Sequence, residues 1–118
     1  MPQQLLVAEQ LADILAVLAH PHRIRIIEEL GKRESDVHTL AEKLNLRQST
    51  LSQHLAQLRM KGIAIAERDG RTVRYHLSNV WLARWLVEGF QLLEMQNKKS
   101  SQVLKAARVV KRMWRVKD

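Results

Sequence analysis

The spacing of apolar residues in this chain changes once, at Gly62, and that change restricts the available folds more than any other feature. Before it, apolar residues recur every three or four positions, the period of a helix: Leu11, Ile14, Leu15, Leu18, then Ile24, Ile27, Leu30, then Val37, Leu40, Ala41, Leu44, then Leu51, Leu55, Leu58. After it, residues 63–68 and 72–77 are short runs rich in β-branched and aromatic residues. Asp69-Gly70-Arg71 joins them, and Asp-Gly is a strong hairpin signal. Four helices followed by one hairpin make a mainly α fold carrying a β-hairpin.

The punctuation predicts the boundaries. A helix over 4–19 ends at His20-Pro21, and Pro21 opens a second over 21–30 because its missing N–H is not needed in a first turn. Gly31 is expected to stop that helix and 32–35 to form a polar connection. Asp36 caps a third helix, Asn45-Leu46-Arg47 makes a tight turn, and a fourth helix over 48–61 closes at Gly62, a position that tolerates a left-handed backbone. Beyond the hairpin, Ser78 or Asn79 caps a fifth helix from residue 80 to about 96. Its Trp81, Leu82, Trp85, Leu86, Phe90 and Leu93 are more apolar surface than one small domain needs. Residues 97–101 read as a break and 102–116 as a last helix.

Composition bounds what such a fold can do. One small domain fits 118 residues, since single cores serve chains of about 100 to 200 residues. There is no cysteine, which removes disulfides, thiolate metal sites and thiol redox chemistry together. No signal-type run or membrane-length apolar stretch appears, so a cytoplasmic protein without membrane contact is expected. The formal charge of +8 points to a polyanionic partner, but its location is uneven. Residues 1–97 carry 12 Lys and Arg against 11 Asp and Glu, whereas 98–118 carry 8 against 1. The chain therefore divides into a unit over 1–97 and a basic amphipathic extension over 98–118. No cysteine nucleophile, phosphate-binding glycine loop or acid/base cluster is present, so no enzymatic activity is expected.

The fourth helix has two unlike faces. Leu51, Leu55 and Leu58 form one, while Gln48, Ser49, Thr50, Ser52 and Gln53 put short amides and hydroxyls on or near the other. Such groups suit reading base edges in the major groove while touching phosphates, and Gln53 fits a paired contact with adenine. His54 has two readings: a phosphate contact, or a hydrogen bond to a neighbouring backbone group that supports the helix. Arg68, Arg71 and Arg74 on the hairpin suit the neighbouring DNA backbone. A helix, a three-residue turn, a second helix and a cationic hairpin in this order are a winged helix-turn-helix.

Four stretches in the right order resemble the ArsR/SmtB family of bacterial transcriptional repressors. They are Leu18-Ala19-His20-Pro21-His22-Arg23-Ile24-Arg25-Ile26-Ile27, Leu40-Ala41-Glu42, Gln48 through Leu58, and Gly62-Ile63 with the wing Arg68-Asp69-Gly70-Arg71. The resemblance spans roughly residues 8–95. It implies a homodimer assembled through the first and fifth helices, which binds a two-fold symmetric operator as a repressor and is released by an effector. Leu11, Leu15, Leu18, Trp81, Trp85 and Leu86 are the expected dimer contacts, and their surplus of apolar surface supports that on its own.

Many members of that family sense metals, and each site has to be weighed. Asp36 and His38 stand where the thiolate type has its Cys-x-Cys pair, which excludes thiolate sensing there. Two ligands are too few for zinc or nickel, so Asp36 is read as a helix cap and His38 as a surface residue. His20 and His22 flank Pro21 and read as a helix start rather than a metal pair. The fifth helix holds Glu88 and Glu94 but no histidine. No cofactor is expected, and the effector is left unspecified. In the extension, Val103, Ala106, Ala107, Val110, Met113 and Trp114 fall on one side and Lys105, Arg108, Lys111, Arg112 and Arg115 on the other. Three readings stand for it: packing on the dimer helices, added phosphate contacts, or an anionic membrane surface. A sequence-indifferent architectural protein that coats DNA through this tail is the alternative function.

Overall fold

The computed structural model describes residues 2–96 and 101–113. The elements are α1 (Pro2–Leu18), α2 (Pro21–Lys32), β1 (Ser35–Asp36), α3 (Val37–Leu44), α4 (Gln48–Met60), β2 (Ala64–Asp69), β3 (Thr72–Leu77), α5 (Trp81–Gln96) and α6 (Ser101–Met113). The core lies between α2, α3 and α4, where Ile26, Ile27, Leu40, Leu51, Leu55 and Leu58 are removed from solvent. Each such side chain contributes about 1.5–3 kcal/mol through burial. This packing fixes which way the remaining face of α4 points.

Local chemistry explains most boundaries. His20 is the cap of α2, with extended backbone and its Nδ1 accepting from His22 N–H at 3.0 Å, and Pro21 follows at the first helical position. Asp36 accepts from Thr39 N–H at 2.7 Å to start α3. The ends of α3 and α4 use one device. Asn45 (φ 54) and Gly62 (φ 70) turn left-handed, and the next N–H reaches back across the last turn, Leu46 to the Ala41 carbonyl at 3.0 Å and Ile63 to that of Leu58 at 2.9 Å. The two helices are thus cut to length by matching closures. At the start of α5, Asn79 Oδ1 accepts from Trp81 N–H at 2.9 Å.

Two expectations are corrected. Gly31 does not stop α2, which runs on to Lys32. Its role is close approach: a Cβ there would stand 2.6 Å from the Cβ of Ala83, where α5 crosses α2. Nor is 32–35 wholly a polar connection. Ser35 and Asp36 pair antiparallel with Tyr75 and Arg74, giving a three-stranded sheet in the order β1-β3-β2, and Ser35 is buried. A two-residue strand has no periodicity to read.

The hairpin register is Ala64↔Leu77 through Asp69↔Thr72, leaving Gly70-Arg71 as a two-residue loop with Gly70 at φ 64. Ser78 closes its base by donating N–H to the Ile63 carbonyl at 2.9 Å. In the extension, α6 sets Ala107 and Val110 against α5 beside Phe90 and Leu93, and Lys111 Nζ lies 3.0 Å from Glu94 Oε1. Trp114 and Arg115 lie outside the described residues. Among the described residues no helix is long and apolar enough to cross a membrane.

Candidate nucleic-acid interface

With Leu51, Leu55 and Leu58 anchored in the core, α4 presents Gln48, Ser49, Ser52 and Gln53 together on its exposed side. Thr50 is half-buried at the edge of that face. Arg47 at the cap of α4 supplies no side-chain cap, so the first N–H groups of the helix are not taken by it. Gln48 Nε2 lies 3.1 Å from His38 Nδ1, and His38 Nε2 lies 3.0 Å from Glu42 Oε1, so a chain of contacts ties the start of α4 to α3. Gln53, one and a half turns on, is exposed, and its side chain makes no hydrogen bond among the described residues.

His54 is engaged inside the fold. Its Nδ1 accepts from Arg23 Nε–H at 3.1 Å, and its ring meets those of His20 and His22 with centroids 4.4 and 5.6 Å away. Partial burial, with His20, Arg23 and His22 adding to it, holds the imidazole below the ordinary histidine range. Of the two sequence readings, the supporting one matches this geometry, except that the partner is a side chain rather than backbone. Arg23 was not singled out from sequence. It stands within the family-like stretch from Leu18 to Ile27, but nothing in that stretch pairs it with His54.

The three wing arginines do not share a face. Side chains alternate along a strand, and Ala64, Ala66, Tyr75 and Leu77 mark the side packed toward the core. Arg68 lies on that side beyond the covered part, opposite Val73; Arg71 is in the loop; Arg74 lies on the other side, paired across the hairpin with Glu67. Arg74 NH1 also stands 3.8 Å from Glu34 Oε1. Arg68 and Arg71 therefore lie toward the tip of the hairpin, and Arg74 lies on its flank beside Glu34.

A second surface is apolar. In α1, Leu11 and Leu15 are 48% and 41% exposed, and Leu18 is the one fully buried residue of the helix. Leu18 is thus corrected from a dimer contact to a core residue of its own chain, because α1 turns onto α2 there. Trp81 is 58% exposed, while Trp85 and Leu86 are half-buried and line a 540 Å³ groove with Leu15, Ile24 and Leu92 between α1, α2 and α5. A 17-residue helix that buries one side chain has little to hold it in isolation.

At the position weighed for a metal, the Asp36 carboxylate is committed to its cap. The Thr39 backbone bond, followed by the Thr39 side chain, holds it below the usual carboxylate range. His38 has a neighbour at each ring nitrogen. Among the described residues no group of three or more His, Asp or Glu side chains is arranged to hold a metal ion.

Comparison with known proteins bears on what this surface is for. The model of the family described as bacterial regulatory protein, arsR family, matches residues 20–66, which run from the cap of α2 through α3 and α4 into β2. Nodulation protein NolR of Rhizobium meliloti is 42% identical over 72 residues, 61% of this chain and 59% of that protein. The crystal structure of NolR from Sinorhizobium fredii superposes with a TM-score of 0.70 at 35% identity, covering 78% of this chain and 92% of that one. The protein belongs to the arsR family. ArsR-family proteins are transcriptional regulators and not enzymes. A further relative, the HTH-type transcriptional repressor SmtB of Mycobacterium tuberculosis, is 37% identical over 76 residues, 64% of this chain and 56% of that protein. The chain spans a little over half the length of these two curated relatives. The winged-helix architecture read from the sequence is that of its structural neighbours in the arsR family.

Proposed function

We propose that the protein is a DNA-binding transcriptional repressor that works in the cytoplasm as a homodimer on an inverted-repeat operator and is released by an effector that no thiolate holds. The observation that carries this reading is the pairing of an exposed amide-and-hydroxyl face on α4 with the cationic tip made by Arg68 and Arg71. Gln48, Ser49, Thr50, Ser52 and Gln53 contact bases and nearby phosphates, and the wing tip lies along the flanking backbone. The relatives support the repressor role through SmtB, whose printed description is a transcriptional repressor. Leu11, Leu15, Trp81, Trp85 and Leu86 supply the dimer contact, which sets two copies of α4 about 34–36 Å apart, one turn of DNA. Residues 1–97 form the reading and assembly unit, with 98–118 as an extension.

The test is selection from a pool of random duplexes followed by a mobility-shift assay. The proposal expects an inverted repeat bound in preference to a shuffled duplex. The excess charge of residues 98–118 favours a second reading, in which the tail coats DNA without regard to sequence. That reading requires truncation after residue 97 to abolish binding, whereas a repressor keeps its preference for the selected duplex.

A further inference from the structure

The Arg23 side chain sits where three helices meet. Its NH1 donates to the Val17 carbonyl at 3.0 Å, in the last turn of α1, and its Nε–H donates to Nδ1 of His54 at 3.1 Å, on α4. The last four carbonyls of a helix have no partner within it. Those of Ala16 and Leu18 accept from Ala19 and His20 N–H groups, and that of Val17 accepts from Arg23. One planar guanidinium thus takes an end carbonyl of the candidate assembly helix and grips the candidate reading helix. Arg23 and His54 are both half-buried, inward of the exposed face of α4.

We propose that Arg23 and His54 are a positioning pair that sets the angle of α4 against α1, and through it the spacing of the two reading helices in the dimer. The proposal rests on the DNA-reading function above. Arginine suits the role because its fork makes two bonds in fixed directions, which a lysine ammonium cannot reproduce. The link also depends on a neutral His54, since only an unprotonated Nδ1 can accept. The groups facing that ring are Arg23 and His22 on α2 and His20 at its cap, each a cation or able to become one. Protonation removes the acceptor and sets a new positive charge against Arg23. Because the folded state holds this imidazole below its ordinary value, the link is complete above the ordinary histidine range. It is lost as pH falls through the lowered value.

The experiment uses the full-length chain and measures, for each variant, the ratio of affinity for the selected duplex to that for its shuffled counterpart, between about pH 7.5 and 5. Arg23→Lys and His54→Phe are expected to lower the ratio about tenfold at neutral pH, the scale of a lost, partly buried hydrogen bond. His54→Asn, whose Oδ1 replaces Nδ1 as acceptor and does not titrate, is expected to keep the ratio and to remove its decline in acid. A purely structural role lowers the melting temperature of Arg23→Lys and His54→Phe and leaves the ratio of the folded protein alone; that result overturns the proposal. So does a wild-type acid decline that His54→Asn retains. Should Arg23→Lys and His54→Phe fail to fold, the two pH profiles of wild type and His54→Asn decide by themselves. A wild type that prefers no duplex at all overturns the DNA-reading function, and this pair with it.

Discussion

Gly31 carries more of the fold than its place in the sequence suggests. Read locally, a glycine after Leu30 marks a helix end, and that expectation fails because its cause lies on α5, where Ala83 occupies the space a side chain would need. Gly31→Ala gains helix propensity of about 1 kcal/mol but forces α2 and α5 apart, and overpacking of this kind costs about 1–3 kcal/mol. The variant is expected to melt below the wild type in a calorimetric scan, and an equal or higher melting temperature would show that α5 yields easily. Residues whose roles are local were legible. Asp36 could be read as a cap because its partner, Thr39, is three residues on. Arg23 and His54 could not be paired from sequence, because the contact exists only once α2 and α4 are packed together.

At the scale of elements, the helix-turn-helix was legible almost to the residue. Periodicity, the tight turn from Asn45 to Arg47 and the left-handed closure at Gly62 are all written in short range, whereas the left-handed backbone of Asn45 is seen only in the structure. The hairpin was equally clear, but the face each arginine takes depends on strand register and on a strand β1 too short to see. The wing therefore yields a prediction that the sequence did not contain. In a salt titration of binding to the selected duplex, Arg71→Ala is expected to reduce the slope of log affinity against log salt by about 0.9, the share of one phosphate contact. Arg74→Ala, whose charge is paired with Glu34, is expected to leave the slope nearly unchanged. Equal slopes for the two variants would contradict the division between tip and flank.

For the whole molecule, the large positive charge and the proposed DNA-reading face are separate features. The charge lies in the last 21 residues, whose described part, α6, rests its apolar side on α5 and leaves Lys105, Arg108 and Arg112 outward. The proposed reading face is nearly neutral, so in the proposed dimer the distance between two copies of α4 is the governing quantity. In the proposed dimer that distance is set by the apolar surface of α1 and α5. Leu11→Glu puts a charge into that surface and is expected to turn a dimer into a monomer by sedimentation velocity, with operator binding lost in parallel. A dimer that survives the change would move the assembly surface elsewhere.

The central claim is that the exposed face of α4 reads base sequence, and Gln53 tests it most directly because it projects from that face without a partner among the described residues. The measurement is the affinity of Gln53→Ala for the selected duplex and for the shuffled one. The ratio of the two is expected to fall about tenfold, within the range of one paired base contact, while affinity for the shuffled duplex stays as it was. An unchanged ratio, or an equal loss on both duplexes, would contradict the claim.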